Sequence, residues 1–367
     1  MRAMQTVAAI TRENAPHPVL EPVDLEAPAE GELLVRLVAC GVCHTDLSFQ
    51  AGRGPRPIVL GHEGAGIVEE VGEGVTGLRP GDHVLLSAAP HCGACPSCLR
   101  GATPYCVHGE QLSFSGLRAD GTCGMSQRGE RVHAHFFGQS SFAQHALAQA
   151  RAAVKVPDDL PLTLLAPLGC GVTTGAGAVL HALPLRPGGT IAVFGTGSVG
   201  LAAGMAARLA GAARIVAVDV VADRLALALE LGATHAVDAR AEDPVAVVRD
   251  VTGGGADVTF NTTRLPHVYD QAVAALGVQG TAGYVGPPGE AWSPDLGHMM
   301  RGGRSLVGIV QGGVAARVIV PVLIDLHRQG RFPFDRLIRE YPFDRIAEAF
   351  ADSESGAAVK PVLVMRR

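Results

Sequence analysis

The stretch "TIAVFGTGSVGLAAGMAARLAGAARIVAVD", residues 190–219, decides the fold. Its opening "TIAVF" (190–194) is a short apolar run that ends at a glycine, which predicts a buried strand. "VGLAAGMAARLAGA" (199–212) is alanine-rich and predicts a helix, and "RIVAV" (214–218) predicts a second strand. Between the first strand and the helix stand Gly195, Gly197 and Gly200, in the order G-x-G-x-x-G. Gly195 permits a tight turn, Gly197 lets a pyrophosphate approach the backbone, and Gly200 lets helix and sheet pack closely. The helix N-terminus offers free N–H groups and a positive dipole end to phosphates. Asp219 closes the second strand, 24 residues after Gly195. A carboxylate there accepts hydrogen bonds from the ribose hydroxyls of NAD and repels the 2′-phosphate of NADP. Arg224, five residues later, is within reach of the adenosine region. The competing reading is a glycine-rich turn and a surface aspartate in a domain that binds no nucleotide; the strand–Gly–helix–strand–Asp order argues against it.

Outward from this stretch the chain shows two textures. Toward the C-terminus, "ADRLALALELGA" (222–233) predicts a helix ended by Gly232, and "HVYDQAVAAL" (267–276) predicts another. "AVDA", "ADVTF", "AGYVG" and "SLVGIV" supply further strands. Apolar strands alternating with helices predict a parallel, doubly wound sheet. Before about residue 170 the apolar runs are short. "GHEGAGIVEEVGEGVTGLRPGDHVLL" (61–86) holds seven glycines in 26 residues, which reads as short strands with turns and bulges in a β-rich, barrel-like domain. The closing "AVKPVLVMRR" contains one more strand able to return to that domain. The expected organisation is α/β, with residues 1–171 and 311–367 in the β-rich domain and 172–310 in the doubly wound one.

Composition narrows the function. The 367 residues are 47% hydrophobic and 18% charged, with a net charge of −5. No basic excess points to nucleic acid or an anionic membrane. No apolar run reaches the roughly 18 to 20 residues a membrane helix needs. The opening "MRAMQTVAAITRENAPHP" shows no signal-peptide core, so a cytoplasmic location is expected. In a reducing compartment the eight cysteines are expected to be ligands or buried thiols rather than disulfides.

Four of them, Cys92, Cys95, Cys98 and Cys106, lie in "HCGACPSCLRGATPYC" (91–106). Two-residue gaps let a tight turn aim successive thiolates at one point. Four thiolates make a closed tetrahedral site that suits zinc and leaves no place for substrate, so its expected role is structural. An iron–sulfur cluster has the same ligands, but nothing else in the chain suggests electron transfer. A catalytic metal would need other residues. Open zinc sites use three protein ligands, two cysteines and a histidine being one set. The candidates are Cys43 in "CGVCHTDLSFQ" (40–50), His62 in "GHEGAG" and Cys170 in "LGCGVTTGAG"; their spacing alone does not show that they converge.

"GVCHTD", "GHEGAGIVEEVGEGV", the four-cysteine loop, "GCGVTTGAG" and "VFGTGSVGL" follow one another in this order along essentially the whole chain. Together they resemble the zinc-dependent medium-chain alcohol dehydrogenases. The resemblance implies a GroES-like first domain, a Rossmann second domain, and hydride transfer from an alcohol to NAD with zinc as Lewis acid. It implies that Cys43, His62 and Cys170 bind the catalytic zinc, that Asp46 supports one of these ligands, and that Glu63 is the acid near the zinc that helps ligand exchange. It also implies that Thr45 takes the first proton of a relay. Three positions on, Ser48 stands where the best-known animal members carry a histidine; it can pass a proton along water but cannot hold one near neutral pH. The same likeness places His44, Lys360 and Arg264 near the cofactor phosphates and ribose, Thr174 and Val285 by the nicotinamide, and Val199 in the phosphate turn. Cys40 and Cys123 match no ligand position and read as inert buried thiols.

The stretch "HFFGQSSFAQHALA" (135–148) resembles the aryl and benzyl alcohol branch most, with Phe136 and Phe137 at pocket positions. Aromatic walls favour a flat apolar substrate. Ala88 falls where some relatives carry a bulky residue, which widens the cavity and keeps terpenoid allylic alcohols in view. Residues 115–134 read as a polar, glycine-rich insertion of the kind dimeric members carry; a homodimer is expected, with a homotetramer as the alternative. The rival functions are a thiol-dependent formaldehyde dehydrogenase of the same superfamily and a non-catalytic zinc and nucleotide binder. The second fits less well, since all three catalytic ligands and Thr45 are present.

Overall fold

The computed structural model describes residues 4–365. They form two compact units, the first of 4–170, 315–321 and 335–365, the second of 171–314 and 322–334. The return to the first unit is thus interrupted by 322–334, against the single boundary at 311 expected from the sequence.

In the first unit a five-stranded sheet runs in the order Ile58–Val59, Met4–Thr11, Val19–Leu25, Met125–Gln127 and Glu130–Arg131. A seven-stranded sheet centres on Glu32–Gly41, which pairs antiparallel with Gly64–Val71, His145–Gln149 and Lys360–Val364. Leu33, Val35 and Leu37 of this central strand are buried with Ile10, Leu25 and Phe142 in one core. Its pairing with Gly64–Val71 shifts register after Leu34 and again after Leu37. Such irregularities bend a strand and re-aim its end, and this end leads directly into Cys43. The closing strand sets Val362 opposite Gly41 and Leu363 opposite Cys40.

The 115–134 stretch departs from the expected polar insertion. It contributes the Met125–Gln127 and Glu130–Arg131 strands, and Met125 and Val132 are buried in the core. Cys40 is buried and Cys123 half-buried, and burial pushes both thiols above their ordinary value.

The second unit carries a six-stranded parallel sheet ordered His235–Asp238, Arg214–Asp219, Thr190–Phe194, Ala256–Asn261, Leu276–Tyr284 and Ser305–Gly308. In order of first appearance this is 3-2-1-4-5-6, the doubly wound arrangement whose ligand crevice lies at the carboxyl ends where the order reverses. Ser198–Leu209 is the first crossover helix. The helix expected at 267–276 is Pro266–Ala274, and Leu276 already begins the next strand. No single helix among the described residues is long and apolar enough to cross a membrane.

One buried group ties the first unit's stability to pH. His135 is 3% exposed and lies 3.8 Å from Glu32, which Arg118 engages at 2.9 Å. Burial, only partly offset by Glu32, lowers its pKa to about 4. Above pH 6.5 the imidazole is neutral in both folded and unfolded chains. Below it the unfolded chain binds a proton that the folded chain accepts only near pH 4. Stability therefore falls across that window, by about 3 kcal/mol from this group. Urea titrations at stepped pH should show that slope, and His135→Gln should flatten it.

Candidate active site and metal centres

The first site begins where the central strand ends. Cys43, extended at φ −124° and ψ 155°, caps the helix His44–Gln50. Asp46, three residues on, is fully buried and holds three donors. Its Oδ2 accepts from the Cys43 N–H at 2.9 Å, and its Oδ1 from the Gly61 N–H at 3.1 Å and from His62 Nδ1 at 3.0 Å. That bond fixes the imidazole tautomer and leaves His62 Nε2 buried without a hydrogen-bond partner. Nε2 lies among donors of one cluster: Cys43, His62, Glu63 and Cys170 each offer a ligand atom within 4.8 Å of the others. Cys43 sits well below the ordinary thiol range because of the neighbouring Cys170 thiol, and then of His62 and Lys360. An orphaned imidazole nitrogen among thiols is a soft donor set that fits zinc.

Glu63 is fully buried, and its two oxygens accept from Lys360 Nζ at 2.8 and 3.1 Å. Lys360 also donates to the Val42 carbonyl at 3.1 Å. All three ammonium donors are spent and the residue is 1% exposed. The expectation that Lys360 reaches the cofactor is therefore corrected. Its strand packs beside Cys40 and Gly41, so the side chain ends inside the first unit. Burial pushes the Glu63 carboxyl up, to about 7, against the pull of Lys360. Gly41 is required here, since a Cβ would lie 2.0 Å from Glu63 Oε2.

Thr45 Oγ1 lies 3.9 Å from Cys43 Sγ. Ser48 donates its hydroxyl to the His44 carbonyl at 3.1 Å, so it has only acceptor capacity left in this arrangement. His44 is exposed at the first helical position.

The aromatic wall is partly as expected. Phe137 stacks on the His62 ring, centroids 4.5 Å apart and planes at 24°. It adopts φ 50° and ψ 32°, a left-handed conformation that costs a bulky residue about 1–2 kcal/mol. Phe136 is fully buried, edge-on to His62 at 5.6 Å and packed on Phe49 at 4.7 Å. It supports the wall from the core rather than forming an open pocket face, which corrects its assignment. Phe114, missed in the sequence, meets Phe137 edge to face at 5.3 Å. It stands in the short helix Gly109–Phe114, where no sequence pattern marks it. Ala88 is buried, its N–H on the Gly169 carbonyl at 2.9 Å, one residue from Cys170.

The second centre is the four-cysteine loop. Its four sulphurs lie within 4.8 Å of one another. Cys95 to Cys98 is 3.5 Å, Cys95 to Cys106 is 3.9 Å and Cys92 to Cys98 is 4.0 Å. Tetrahedral zinc with bonds of about 2.3 Å separates its sulphurs by about 3.8 Å, so the loop fits that ion. The Ala94 and Cys95 N–H groups donate to Cys92 Sγ and hold that thiol below its ordinary value.

In the second unit the glycine turn has the shape a pyrophosphate needs. Gly195 has φ 89°. A Cβ on Gly200 would lie 1.9 Å from the Gly195 carbonyl oxygen, whereas one on Gly197 would meet nothing within 4 Å. Gly200 is thus required for packing, and Gly197 borders open space at the N-terminus of Ser198–Leu209, with Val199 in its first turn. Asp219 is already engaged. Its Oδ2 accepts from the Thr196 N–H at 2.5 Å and hydroxyl at 2.7 Å, its Oδ1 from the N–H groups of Val220 and Val221. All four acceptor directions are used, so a ribose must exchange with Thr196, a residue sequence reading passed over as the x of the motif. Arg224 is half-buried and its Nε has no partner. Arg264 Nε donates to the Pro287 carbonyl at 3.3 Å, and the Val285 N–H to Asn261 at 3.2 Å. Both follow parallel strands at their carboxyl ends; Thr174 is buried in Gly171–Gly177.

Comparison with known proteins agrees with this anatomy. The alcohol dehydrogenase GroES-like domain matches residues 29–158, and the zinc-binding dehydrogenase domain matches 198–326. A geraniol dehydrogenase from Castellaniella defragrans is 47% identical over 366 residues, covering 97% of each chain. A probable S-(hydroxymethyl)glutathione dehydrogenase from Schizosaccharomyces pombe is 38% identical over 355 residues, covering 95% of this chain and 94% of its own. The crystal structure of benzyl alcohol dehydrogenase from Acinetobacter calcoaceticus superposes with a TM-score of 0.95 at 40% identity, covering 99% of this chain and 100% of that one. The chain belongs to the zinc-dependent medium-chain alcohol dehydrogenase family, whose chemistry is alcohol oxidoreduction.

Because Asp46 satisfies three buried donors at once, Asp46→Ala should cost on the order of 3 kcal/mol or more in a urea titration. Asp46→Asn keeps one oxygen acceptor and should cost less.

Proposed function

We propose that this protein oxidises, reversibly, a primary alcohol whose carbinol carbon is attached to an aromatic ring or a double bond, with NAD as hydride acceptor. The observation that carries the reading is the Phe137 ring laid on His62 and flanked by Phe114, a flat apolar wall against the metal-competent donors. Two relatives are named for geraniol and benzyl alcohol, which share that carbinol environment.

Cys43, His62 and Cys170 would hold a catalytic zinc, and Cys92, Cys95, Cys98 and Cys106 a structural one. Bound at these places, zinc supplies a Lewis acid for the alcohol oxygen and NAD supplies the hydride acceptor. The chain's own groups do the rest. Asp46 keeps His62 in the tautomer that presents Nε2. Thr45 receives the alcohol proton at Oγ1. Ser48 passes it to water once its hydroxyl leaves the His44 carbonyl. Phe137 orients the substrate's flat group and excludes water beside the donors. Gly197 and the following helix N-terminus receive the pyrophosphate, and Asp219 the adenosine ribose, which favours NAD over NADP. Thr174, Val285, Arg224 and Arg264 are the further cofactor candidates of the second unit, and His44 is one of the first.

A homodimer through the sheet edge fits the exposed Val278, Leu296, Met300 and Val310 near the outer strands. Eight cysteines, six of them proposed as metal ligands, suit a reducing, cytoplasmic setting.

The deciding assay is NADH formation by purified protein with benzyl alcohol, geraniol and ethanol, before and after chelation. The first two should exceed ethanol in kcat/KM by roughly 100-fold, since each buries several more carbons. Chelation should abolish turnover. Activity confined to formaldehyde plus a thiol would overturn the substrate. Gly197→Ala should leave the thermal midpoint in place while raising KM for NAD about tenfold or more; Gly200→Ala should lower stability itself.

A further inference from the structure

We propose that the first unit holds a second ligand site, a cavity of about 150 Å³ that binds a small tetrahedral oxyanion such as orthophosphate or sulfate. Its walls include Ser87, Thr103, Arg151, Ala315, Ala316 and Arg317, and no lining residue is a carboxylate.

Three independent features converge there. The first is unmatched positive charge. Neither Arg151 nor Arg317 forms an ion pair among the described residues; Arg151 donates one N–H to the Cys92 carbonyl, and Arg317 one to Ala150 at 3.0 Å. Each guanidinium has five donors, so most remain free. The second is a helix start. Ala316–Arg328 is thirteen residues long, and its first turn lines the cavity. The Val318 N–H bonds Ala315 at 2.9 Å, while amides earlier in such a turn have no helical acceptor and carry the positive dipole end. The third is Ser87. This residue lines the cavity and is 3% exposed, yet its Oγ has no hydrogen-bond partner. Its backbone is fully used, the N–H on Ala152 and the carbonyl accepting from Gln139. A buried hydroxyl left unpaired is destabilising unless something occupies the space before it.

Size selects the ligand. The cavity is large enough for one tetrahedral oxyanion and its remaining hydration. Sites for whole nucleotides or drug-sized molecules are larger, about 300 Å³ and upward. Four oxygens can accept from two guanidinium groups, a helix start and two hydroxyls at once. Chloride cannot distribute its charge over donors so arranged. The donors also come from separate segments: Ser87 from the barrel, Thr103 from the four-cysteine loop, and Arg317 from the returning helix, with Arg151 already on Cys92. An anion bridging them fastens the metal loop to the barrel.

The test uses zinc-loaded protein titrated with orthophosphate and, at equal ionic strength, with chloride. Binding is followed by phosphorus NMR line width and by the thermal midpoint. Phosphate should bind saturably and raise the midpoint where chloride does not. Arg317→Gln and Ser87→Ala should each weaken phosphate about tenfold or more. In chloride, Ser87→Ala should be as stable as the parent or more so, because the orphan hydroxyl is gone, so its loss of phosphate response cannot be misfolding. Phosphate held at the glycine turn instead would leave both variants unaffected. Equal responses in parent and variants, or no saturable binding, would overturn the proposal.

Discussion

The first unit's chemistry depends on one buried carboxylate. Asp46 has no access to water, and burying an unpaired charge costs far more than one hydrogen bond returns. It is tolerated because the Cys43 amide, the Gly61 amide and the His62 imidazole all point at it. Those three donors come from both sides of an 18-residue gap in sequence, the strand end before Cys43 and the loop before Gly64–Val71. The same contacts that make Asp46 affordable therefore set Cys43 and His62 at one place.

A second buried pair supports this arrangement from behind. Glu63 and Lys360 neutralise each other inside the unit, and the last strand of the chain brings them together. Lys360 would otherwise be an ordinary basic residue at the start of that strand. A lysine's long stem lets its head travel, and only the strand pairing determines that it travels inward. Gly41 completes the fit by leaving room for the Glu63 oxygen. The strain of Phe137 belongs to the same logic: a left-handed backbone at a phenylalanine persists only where surrounding packing over-determines it, here between His62, Phe114 and Phe136.

The nucleotide-binding unit solves a different problem with less. Its glycine turn needs no side chains, only the absence of two Cβ atoms for two distinct reasons. At Gly200 the carbonyl of Gly195 occupies the place; at Gly197 nothing does, and the space is left for a ligand. Thr196, Val220 and Val221 together occupy the acceptor directions of Asp219, so a ribose hydroxyl would have to take the place of Thr196 there.

Much of this was legible in the residues themselves, wherever the information is local. Helix Ser198–Leu209, its two flanking strands and the glycine turn follow from periodicity and backbone freedom, which neighbours along the chain determine. The four-cysteine loop is similar, since two-residue gaps keep the thiols close whatever the rest of the chain does. Tertiary structure decided the remainder. That Cys43, His62 and Cys170 meet, that Lys360 turns inward, that Phe114 packs edge to face on Phe137, and that Ser87 shares a cavity with Arg317 are all contacts between distant segments. Strand register and the cost of burying charge select them, and neither is written in any short stretch of sequence.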